Sequence, residues 1–516
     1  MEYIIVQAGG KGTRLGHLTK NKPKALTPVE NLPMLFHLFR KYPDKRFIII
    51  SDYKKEVLRK YLAEFADVKY LVVDAAGIGT CAGIKQAMAL IPEEQAFMLV
   101  WSDLILPERF ELPVEYNCLD DAPDADYVGL STTFPCRWKY ENNEFAEERS
   151  TEYGVAGFFL FRDRSVLKDV PESGEFVRFL QERGMHFRTV SLAGTREFGI
   201  LEEYEKLEQM KTRPFNKITI DNNVLTKEPV DEQGRNLAMR ECAWYKQAKE
   251  QHIEGIPKVY HTDPLQMEYI QGRNIYECNF EYAEKKRILE GLVTTLKELH
   301  AVRSVLADSF SIKEAYYNKT MKRLSRIEYL VPFAREKFVR VNGRNCRNVF
   351  FYKELLEKRL EKLKVDRFSF IHGDCTFSNL MIRDTGEPVL IDPRGYFGYT
   401  ETYGDERYDW AKLYYSLVGN YDKFNLKKFV LDIGGRSVVD GEVIKDLADD
   451  EVRLRIESNG WEDLERDFFS LTGADEYEIK LLHSVIWLSL TTYAWQDYDS
   501  VCGAFYNGLY YLEEVL

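Results

Sequence analysis

The sequence predicts two domains, an α/β domain followed by an α+β domain. Three observations lead to this fold class. The 516 residues exceed the length of one ordinary hydrophobic core. Short apolar runs alternate with amphipathic stretches up to about residue 212, whereas the pattern from residue 280 onward is mostly helical. Alternation of strands and helices favours a parallel α/β sheet, and a hairpin followed by helices favours an α+β domain.

The first domain, predicted over residues 1–212, begins with a buried strand. Residues 3–6 form an apolar run that ends at glycines, as a strand does when it enters a loop. Amphipathic helices are predicted over 54–65 and 82–90. Further strand-like runs are residues 46–51, 70–73, 97–101, 127–131 and 155–161.

The second domain is predicted over residues 213–516. Residues 217–220 and 224–227 are typical of two strands, and Asn222-Asn223 between them favours a tight turn. A helix over 236–250 is expected next. These elements predict an N-lobe over about 213–272 and a mostly helical C-lobe over about 273–516.

Composition excludes several classes of protein. A net charge of −12 and a pI near 5.5 argue against a broad nucleic-acid surface, which requires clustered Lys and Arg. The eight cysteines are dispersed, without a Cys-x-x-Cys pair, as expected in a reducing cytoplasm. No apolar run is long enough for a membrane span, and the first strand leaves no room for a signal peptide.

The first motif is a glycine-rich loop after the first strand. It reads Gly-Gly-Lys-Gly-Thr-Arg-Leu-Gly over residues 9–16, and Pro-Lys-Ala-Leu follows over residues 23–26. Such a turn exposes backbone N–H groups and lets a phosphate approach closely. A Walker loop is excluded because no Gly-Lys-Ser/Thr triplet occurs. A dinucleotide loop is excluded because Leu15 stands where glycine is needed.

This motif resembles that of the sugar-phosphate nucleotidyltransferase family, which has a Rossmann-like α/β fold. The resemblance covers roughly the first two-fifths of the chain. It implies that Arg14 and Lys24 are catalytic residues that act on the reacting phosphates, and that Asp103, after a central strand, binds Mg²⁺. The nucleotide-binding residues that it implies are Gly9, Gly10, Gly12, Thr13, Gly79 and Thr80.

A second metal ligand is expected late in this domain. The family usually has an Asp at this point, whereas the matching position here is Glu197, in a segment that continues to residue 204. Its carboxylate is a ligand that Mg²⁺ accepts, although a solvated surface Glu stays an alternative. The reaction would join two polyanions, so cationic side chains and a metal must offset the developing charge.

The second motif is His372-Gly373-Asp374 with Asn379, followed by Asp392 after a hairpin-like stretch. The Asp-to-Asn spacing is that of a kinase catalytic loop. In such a loop the first Asp accepts the proton of the attacking hydroxyl, and the Asn and the later Asp hold Mg²⁺ on the ATP phosphates. Asp374 is therefore a predicted catalytic residue, and Asn379 and Asp392 are predicted metal ligands.

These residues resemble the aminoglycoside phosphotransferase and choline kinase superfamily, small-molecule kinases with the bilobal α+β fold of protein kinases. The resemblance covers most of residues 215–516. It implies that Lys227 contacts the nucleotide phosphates with Glu241 as its ion-pair partner. It also implies that Glu268 and Tyr269 belong to the hinge that reads adenine.

Three further residues of this domain have expected or open roles. Asp405 and Asp409 are expected to stabilise loops, in a helix that resembles the one bracing the catalytic loop in this superfamily. For Arg394, contact with a phosphate or substrate and pairing with a nearby carboxylate both stay open.

Together the motifs predict a bifunctional enzyme. One domain would phosphorylate a small sugar or alcohol with ATP. The other would convert that phosphate and an NTP to NDP-X and pyrophosphate, products of a type that feeds capsule or lipopolysaccharide synthesis. The expected cofactor is Mg²⁺, the second NTP is CTP, UTP or GTP, and the expected partner is the small-molecule acceptor. A homo-oligomer is left open.

Alternatives remain for the acceptor and for the second domain. A sugar is preferred because residues 79–83 look like those of sugar-1-phosphate transferases. Choline or another amino alcohol, giving a CDP-alcohol, is the alternative, since aromatic rings beside acids can bind a quaternary ammonium; a helical core is the preferred interpretation of these rings. A regulatory pseudokinase is a further alternative. The aromatic and acidic residues concerned are Trp487, Tyr493, Trp495, Asp497, Tyr498, Tyr506, Tyr510 and Tyr511.

Overall fold

The protein is described by a computed structural model over residues 1–117, 123–199, 216–229, 232–439 and 442–516. It divides into two compact units. The boundary expected between residues 212 and 213 lies outside the described residues, so the domain limits stay a prediction. Unit 1 comprises Met1–Lys211, Ser437–Lys445 and Gln496–Asp499, and unit 2 comprises Thr212–Arg436, Asp446–Trp495 and Ser500–Leu516.

Unit 1 is built on a nine-stranded mixed sheet. The strand Tyr3–Gln7 pairs in parallel with Arg46–Ser51 on one side and Phe97–Trp101 on the other. Gly154–Phe161 runs antiparallel to Phe97–Trp101. All eight of its residues are buried, as expected for a strand covered on both faces. The order across the sheet is Glu144–Ala146, Lys139–Glu141, Gly154–Phe161, Phe97–Trp101, Tyr3–Gln7, Arg46–Ser51 and Lys69–Asp74. Tyr127–Ser131 also pairs with Gly154–Phe161, and Arg188–Ser191 pairs in parallel with Tyr127–Ser131.

Helices and short strands complete unit 1 and confirm the predicted α/β class. Parallel strands end at the same edge of a sheet, so residues that follow Tyr3–Gln7 and Phe97–Trp101 are brought together there. The helices are Met34–Lys41, Lys55–Phe65, Ile84–Met88, Val114–Asn117 and Phe176–Glu182. The short strands are Pro28–Val29, Leu32–Pro33, Leu104–Ile105 and Arg196–Glu197.

Unit 2 begins with the predicted hairpin, Asn216–Asp221 and Val224–Pro229. Its turn residues Asn222 and Asn223 have φ angles of 47° and 61°, a left-handed conformation that asparagine tolerates better than most residues. The hairpin extends into a four-stranded antiparallel sheet, and the helix Glu232–Glu250 follows it. The other two strands of this sheet are Leu265–Glu268 and Val259–Thr262.

The rest of unit 2 is mostly helical, which confirms the bilobal α+β class. A four-stranded sheet in this part was not predicted, because its strands come from distant segments of the sequence. The helices after Glu250 are Tyr282–Ala301, Ser309–Lys313, Lys319–Ile327, Val349–Leu360, Glu406–Leu417, Tyr421–Asn425, Glu465–Thr472, Glu476–Leu490 and Tyr498–Leu512. The strands of the unpredicted sheet are Arg344–Arg347, Phe338–Val341, Glu451–Ile456 and Phe429–Ile433.

Further short strands occur between residues 272 and 446. Over the described ranges, no helix is both long and apolar enough to cross a lipid bilayer. These strands are Gly272–Asn274, Ser304–Leu306, Arg367–Phe370, Leu380–Arg383, Pro388–Leu390, Tyr396–Phe397, Thr400–Glu401, Tyr403–Gly404, Arg436–Val439 and Glu442–Asp446.

Candidate active sites

The glycine-rich loop of unit 1 turns beside Lys24. Gly12 has a φ of 65°, and a Cβ at this position would lie 3.0 Å from the Cβ of Lys24. Glycine is required there on both counts. Gly10 and Thr13 are exposed, and nothing lies within 4 Å of a Cβ built on Gly10. Gly9 instead packs against Asp52. The loop therefore presents an open backbone surface next to a lysine.

Lys24 and Asp103 form an ion pair at the predicted edge of the sheet. Asp103 is buried and follows the strand Phe97–Trp101, while Lys24 begins the short helix Lys24–Leu26. The fold thus brings together two residues that lie far apart in the sequence.

Glu197 lies beside this pair. Its strand, Arg196–Glu197, runs antiparallel to Leu104–Ile105, and the N–H of Phe198 donates to the carbonyl of Asp103 at 3.2 Å. Burial raises the pKa of Glu197, and the Asp103 carboxylate raises it further, against the opposing effect of the nearby Lys24 and Arg14 cations. Two carboxylates and two cations therefore share one site.

Arg14 and Glu197 both lie next to Gly199. A Cβ on Gly199 would lie 2.4 Å from Oε1 of Glu197 and 3.3 Å from a terminal nitrogen of Arg14. Arg14 itself is exposed at the start of the short helix Thr13–Thr19. Its guanidinium thus lies near the Glu197 carboxylate.

Asp103 and Glu197 fit a magnesium ion by their chemistry. Mg²⁺ is usually bound through one or two carboxylates together with substrate phosphates and water. Within the described part of the chain, no group of three or more His, Cys, Asp or Glu side chains is arranged to hold a metal by itself. The pair therefore fits an ion that arrives with a nucleotide.

The loop around Gly79 and Thr80 is tied to the central strand of the sheet. Gln7 donates from its side-chain nitrogen to the carbonyl of Thr80 at 2.7 Å. The Thr80 hydroxyl accepts from the N–H of Phe176 at 2.8 Å, and a Cβ on Gly79 would lie 2.4 Å from the carbonyl of Gly174. These contacts position the loop, and nucleotide contact by Gly79 and Thr80 stays a prediction.

In unit 2 the expected ion pair between Lys227 and Glu241 is present. The two side chains are buried, with Nζ 2.9 and 2.8 Å from the two carboxylate oxygens. Lys227 also lies 2.9 Å from Oδ1 of Asp392. Burial lowers the pKa of Lys227, but Asp392 and Glu241 outweigh burial and raise it overall. Lys227 thus connects its strand, Val224–Pro229, to Asp392, a predicted metal ligand.

Asp374 is held by two neighbours. Its Oδ1 lies 2.9 Å from Nζ of Lys412, and its Oδ2 accepts from Nδ2 of Asn379 at 3.1 Å. Burial opposes ionisation of Asp374, but Lys412 and Arg394 hold its pKa below the ordinary value. Asp374 is therefore a carboxylate at neutral pH, as a proton acceptor must be.

Asp409 braces the loop that carries Asp374, as expected. Its Oδ1 accepts from the N–H of Gly373 at 2.7 Å, and its Oδ2 accepts from the N–H of His372 at 2.9 Å. His300 contacts the same Oδ2 at 2.9 Å. Asp405 instead accepts from the N–H of Arg407 as a helix cap, which agrees with the structural role expected of it.

Glu268 and Tyr269 make contacts that the sequence did not indicate. The N–H of Glu268 donates to the carbonyl of Lys258 at 2.8 Å, and the N–H of Tyr269 donates to the carbonyl of Asn223 at 2.9 Å. Neither N–H is available to a base in this conformation. The side chain of Glu268 forms an ion pair with Arg383. A role of this segment in reading adenine stays a prediction.

Arg394 contacts tyrosines rather than a carboxylate. It donates to the hydroxyls of Tyr408 and Tyr396, each at 2.6 Å. Sequence reasoning missed Lys412, although Lys412 lies one helical turn after Asp409 and so shares its face of the helix Glu406–Leu417.

The aromatic residues of the C-terminal segment are largely core. Trp487 and Tyr506 are completely buried, and Tyr498 is 1% exposed, which confirms the preferred interpretation for these three rings. Tyr493 is 59% exposed. The choline alternative thus loses three of the seven rings on which it depended.

Two family models match separate parts of the chain. Residues 4–110 match the MobA-like NTP transferase domain, and residues 224–429 match the phosphotransferase enzyme family. The chain therefore carries a nucleotidyltransferase domain followed by a phosphotransferase domain, and both families consist of transferase enzymes. This confirms both resemblances inferred from the motifs.

Individual relatives match parts of the chain. Over 119 residues, 23% of this chain and 28% of the relative, it is 31% identical to "Bifunctional protein GlmU" of Methanocaldococcus jannaschii. Over 158 residues, 25% of this chain and 60% of the relative, it is 38% identical to glucose-1-phosphate cytidylyltransferase of Salmonella typhimurium. The chain thus spans less than two thirds of either relative. Choline kinase LicA from Streptococcus pneumoniae is 15% identical, with a TM-score of 0.38 over 61% of this chain and 97% of that structure.

Proposed function

We propose that the protein is a bifunctional enzyme of the cytoplasm. Unit 2 phosphorylates a small hydroxyl compound with ATP, and unit 1 transfers a nucleotidyl group from a second NTP to the resulting phosphate. The products are ADP, NDP-X and pyrophosphate, and NDP-X feeds surface-glycan synthesis. The observation that carries the proposal is that each unit gathers its own set of carboxylates and cations around a predicted phosphate site.

In unit 1 the attacking group is a phosphate oxygen of the acceptor. It attacks the α-phosphorus of the NTP, and pyrophosphate leaves. Arg14 and Lys24 offset the repulsion between the two anions and the charge that develops on the reacting phosphates. Asp103 and Glu197 would hold Mg²⁺, which would supply further positive charge at this site. The backbone of the glycine-rich loop contacts the triphosphate.

In unit 2 the attacking group is a hydroxyl oxygen. Asp374 orients the hydroxyl and accepts its proton, and Lys412 keeps Asp374 ionised. Lys227 contacts the nucleotide phosphates while Glu241 fixes its position. Asn379 and Asp392 would hold Mg²⁺, which would supply positive charge for phosphoryl transfer. All of these side chains are of the types that phosphoryl transfer requires.

The acceptor X is a sugar, so that unit 1 receives a sugar 1-phosphate. Support comes from the glycine loop at residues 79–83 and from a relative whose name specifies glucose 1-phosphate. The second NTP is CTP, UTP or GTP. CTP is the first to test, because the same relative is named as a cytidylyltransferase.

The test follows both products in one sample of the full chain. ADP is measured with ATP and a panel of sugars, and pyrophosphate is measured with each NTP and a panel of sugar 1-phosphates. Asp374→Asn should abolish ADP formation and leave pyrophosphate release intact, whereas Lys24→Ala should do the reverse. Asp384→Asn and Lys60→Ala change exposed residues of the same units and should alter neither activity.

Two outcomes oppose the proposal. If ADP never forms, unit 2 is not a kinase, and the regulatory alternative gains. If Asp374→Asn leaves ADP formation unchanged, the assigned proton acceptor is wrong.

A further inference from the structure

Cationic side chains surround the catalytic carboxylate of unit 2. Two of them lie one turn apart on the helix Lys319–Ile327, a third lies two residues after Asp392, and the fourth lies on the helix Glu406–Leu417. None of the four was assigned a part in the kinase reaction from the sequence, and the role of the third, Arg394, was left open. The members of this cationic cluster are Lys319, Arg323, Arg394 and Lys412.

Tyrosine rings show how close these groups are. Arg394 donates to the hydroxyl of Tyr408 at 2.6 Å, and its guanidinium carbon lies 5.8 Å from the ring centroid. Nζ of Lys319 lies 6.0 Å from the centroid of the same ring. The two cations therefore approach one tyrosine.

The other two members are Arg323 and Lys412, and Lys412 connects the cluster to Asp374. Nζ of Lys412 lies 2.9 Å from Oδ1 of Asp374. Burial moves the pKa of Lys319 well below its ordinary value, and repulsion by Arg394, Arg323 and Lys412 lowers it further. Lys319 and Arg323 lie one turn apart on their helix, and Lys319 and Arg394 approach the ring of Tyr408, so these contacts join three of the cations directly.

The cluster has too few negative charges of its own. Among the described residues, no carboxylate lies within 4.0 Å of the charged nitrogens of Lys319, Arg323 or Arg394. Arg394 donates to tyrosine hydroxyls, and Arg323 donates to the carbonyl of Ser489 at 2.6 Å. Asp374 contacts Lys412 and also attracts Arg394, and Glu314 attracts Lys319, which still leaves the cluster with more positive than negative charge. Gathering partly buried cations without counter-ions costs free energy, and an anionic ligand removes that cost.

We infer that Lys319, Arg323 and Arg394 bind an anionic group, a phosphate or a carboxylate, on the same acceptor whose hydroxyl is phosphorylated at Asp374. The inference rests on the proposed kinase function and narrows its substrate class to an acidic sugar. A choline-like cation is excluded from this position by repulsion. Tyr396 and Tyr408 hold Arg394 in place and line the subsite with hydroxyl and ring surface.

The reaction at this site balances without another reactant. The acceptor hydroxyl oxygen forms a bond to the γ-phosphorus of ATP, the bond from that phosphorus to the β–γ bridging oxygen breaks, and ADP leaves. The hydroxyl proton passes to Asp374. The anionic group of the acceptor does not react, and its contacts fix which hydroxyl faces Asp374.

A competing occupant is the γ-phosphate of ATP itself. Substitutions distinguish the acceptor from ATP as the ligand of the cluster. Replacing a residue that binds the acceptor changes the KM for the acceptor and leaves the KM for ATP unaltered. Arg323→Met and Lys319→Met remove one charge each at similar length. Lys322→Met, an exposed residue of the same helix, is the matched control.

The kinetic test uses the full chain, ATP, and four acceptors: a neutral hexose, its phosphate monoester, the corresponding uronate, and choline. We expect kcat/KM for the phosphate ester or the uronate to exceed that for the neutral hexose by about a hundredfold. Whichever of these is preferred identifies the anionic group. Arg323→Met should reduce this preference by about tenfold or more through KM for the acceptor. Equal rates with the neutral hexose, or an effect of Arg323→Met on the KM for ATP alone, would overturn the inference.

A binding measurement separates this inference from the proposed function. Inorganic phosphate is titrated calorimetrically into the full chain saturated with Mg²⁺ and a non-hydrolysable ATP analogue. Binding that Arg323→Met and Lys319→Met abolish, and Lys322→Met retains, supports the anion subsite even if no acceptor turns over. Turnover of a neutral sugar without phosphate binding supports the kinase and refutes the subsite.

Discussion

Asp409 is the residue through which the kinase activity can be weakened without touching a reactant. It is completely buried and accepts hydrogen bonds from two successive backbone N–H groups, those of His372 and Gly373. Burial opposes its ionisation, but His300 and His372 hold its pKa below the ordinary value, so it is charged at neutral pH. Asp409→Asn therefore changes the support of Asp374 and leaves Asp374 itself in place.

The size of the effect follows from these contacts. An asparagine has one acceptor oxygen, so its NH₂ group must face either the Gly373 N–H or the side occupied by His372 and His300. At least one charge-assisted hydrogen bond is lost, worth about 1.5–3 kcal/mol, and a buried N–H is left without a partner. A total near 3 kcal/mol corresponds to about a hundredfold loss of kcat if it falls on the orientation of Asp374.

The assay measures ADP formation with an acceptor that supports turnover, and pyrophosphate release by the same sample from a supplied sugar 1-phosphate. We expect Asp409→Asn to lower kcat of the kinase about a hundredfold, with little change in the KM for ATP and none in pyrophosphate release. Asp384→Asn serves as the exposed control. A kinase kcat within about threefold of the parent value would refute the bracing role of Asp409.

The remaining predictions concern both units. Lys24→Ala should lower nucleotidyl transfer by about a hundredfold or more and leave ADP formation unchanged, since Lys24 offsets charge only in unit 1; equal pyrophosphate rates would contradict this. Glu197→Gln should raise the Mg²⁺ concentration for half-maximal transfer about tenfold, which a magnesium titration of pyrophosphate release measures; an unaltered curve would count against Glu197 as a ligand. Asp422→Asn should flatten the pH dependence of stability of unit 2. Burial raises the pKa of Asp422 to about 6, so the stabilisation from its bound proton is present below about pH 4 and is lost as pH rises through 6, about 3 kcal/mol in all. Thermal unfolding of the parent protein and of Asp422→Asn at pH 4.5 and 7.5 checks this. An equal change of Tm between the two pH values in both proteins would disprove it.

Local sequence was sufficient for the fold class, and it indicated the groups that are proposed to react. The Asn222-Asn223 turn was predictable because few residues other than Gly and Asn accept two successive positive φ angles. The pairing of Lys227 with Glu241 followed from the resemblance. In each case a short segment or a fixed spacing carries the information.

The environment of those groups was not predictable in the same way. Lys412 lies on a helix that is buried along most of its length, and Arg323 lies on an amphipathic helix, so neither local pattern signals a ligand site. The N–H groups of Glu268 and Tyr269 are occupied by carbonyls of other segments, which no local pattern signals. These contacts depend on tertiary packing, so they appear only when the whole unit is folded.

This difference explains why sequence alone left the acceptor open between a sugar and choline. The reaction type is set by Asp374, Asn379 and Asp392, which a kinase needs for any hydroxyl acceptor. In the proposed subsite the charge of the acceptor is selected instead by residues that do not react, and one of them, Lys412, forms an ion pair with Asp374. We expect the cationic cluster to repel a positively charged acceptor, whereas an acidic sugar would complete the charge balance. We therefore expect that changing the charges of the cationic cluster changes the preferred acceptor while leaving the chemistry at Asp374 the same.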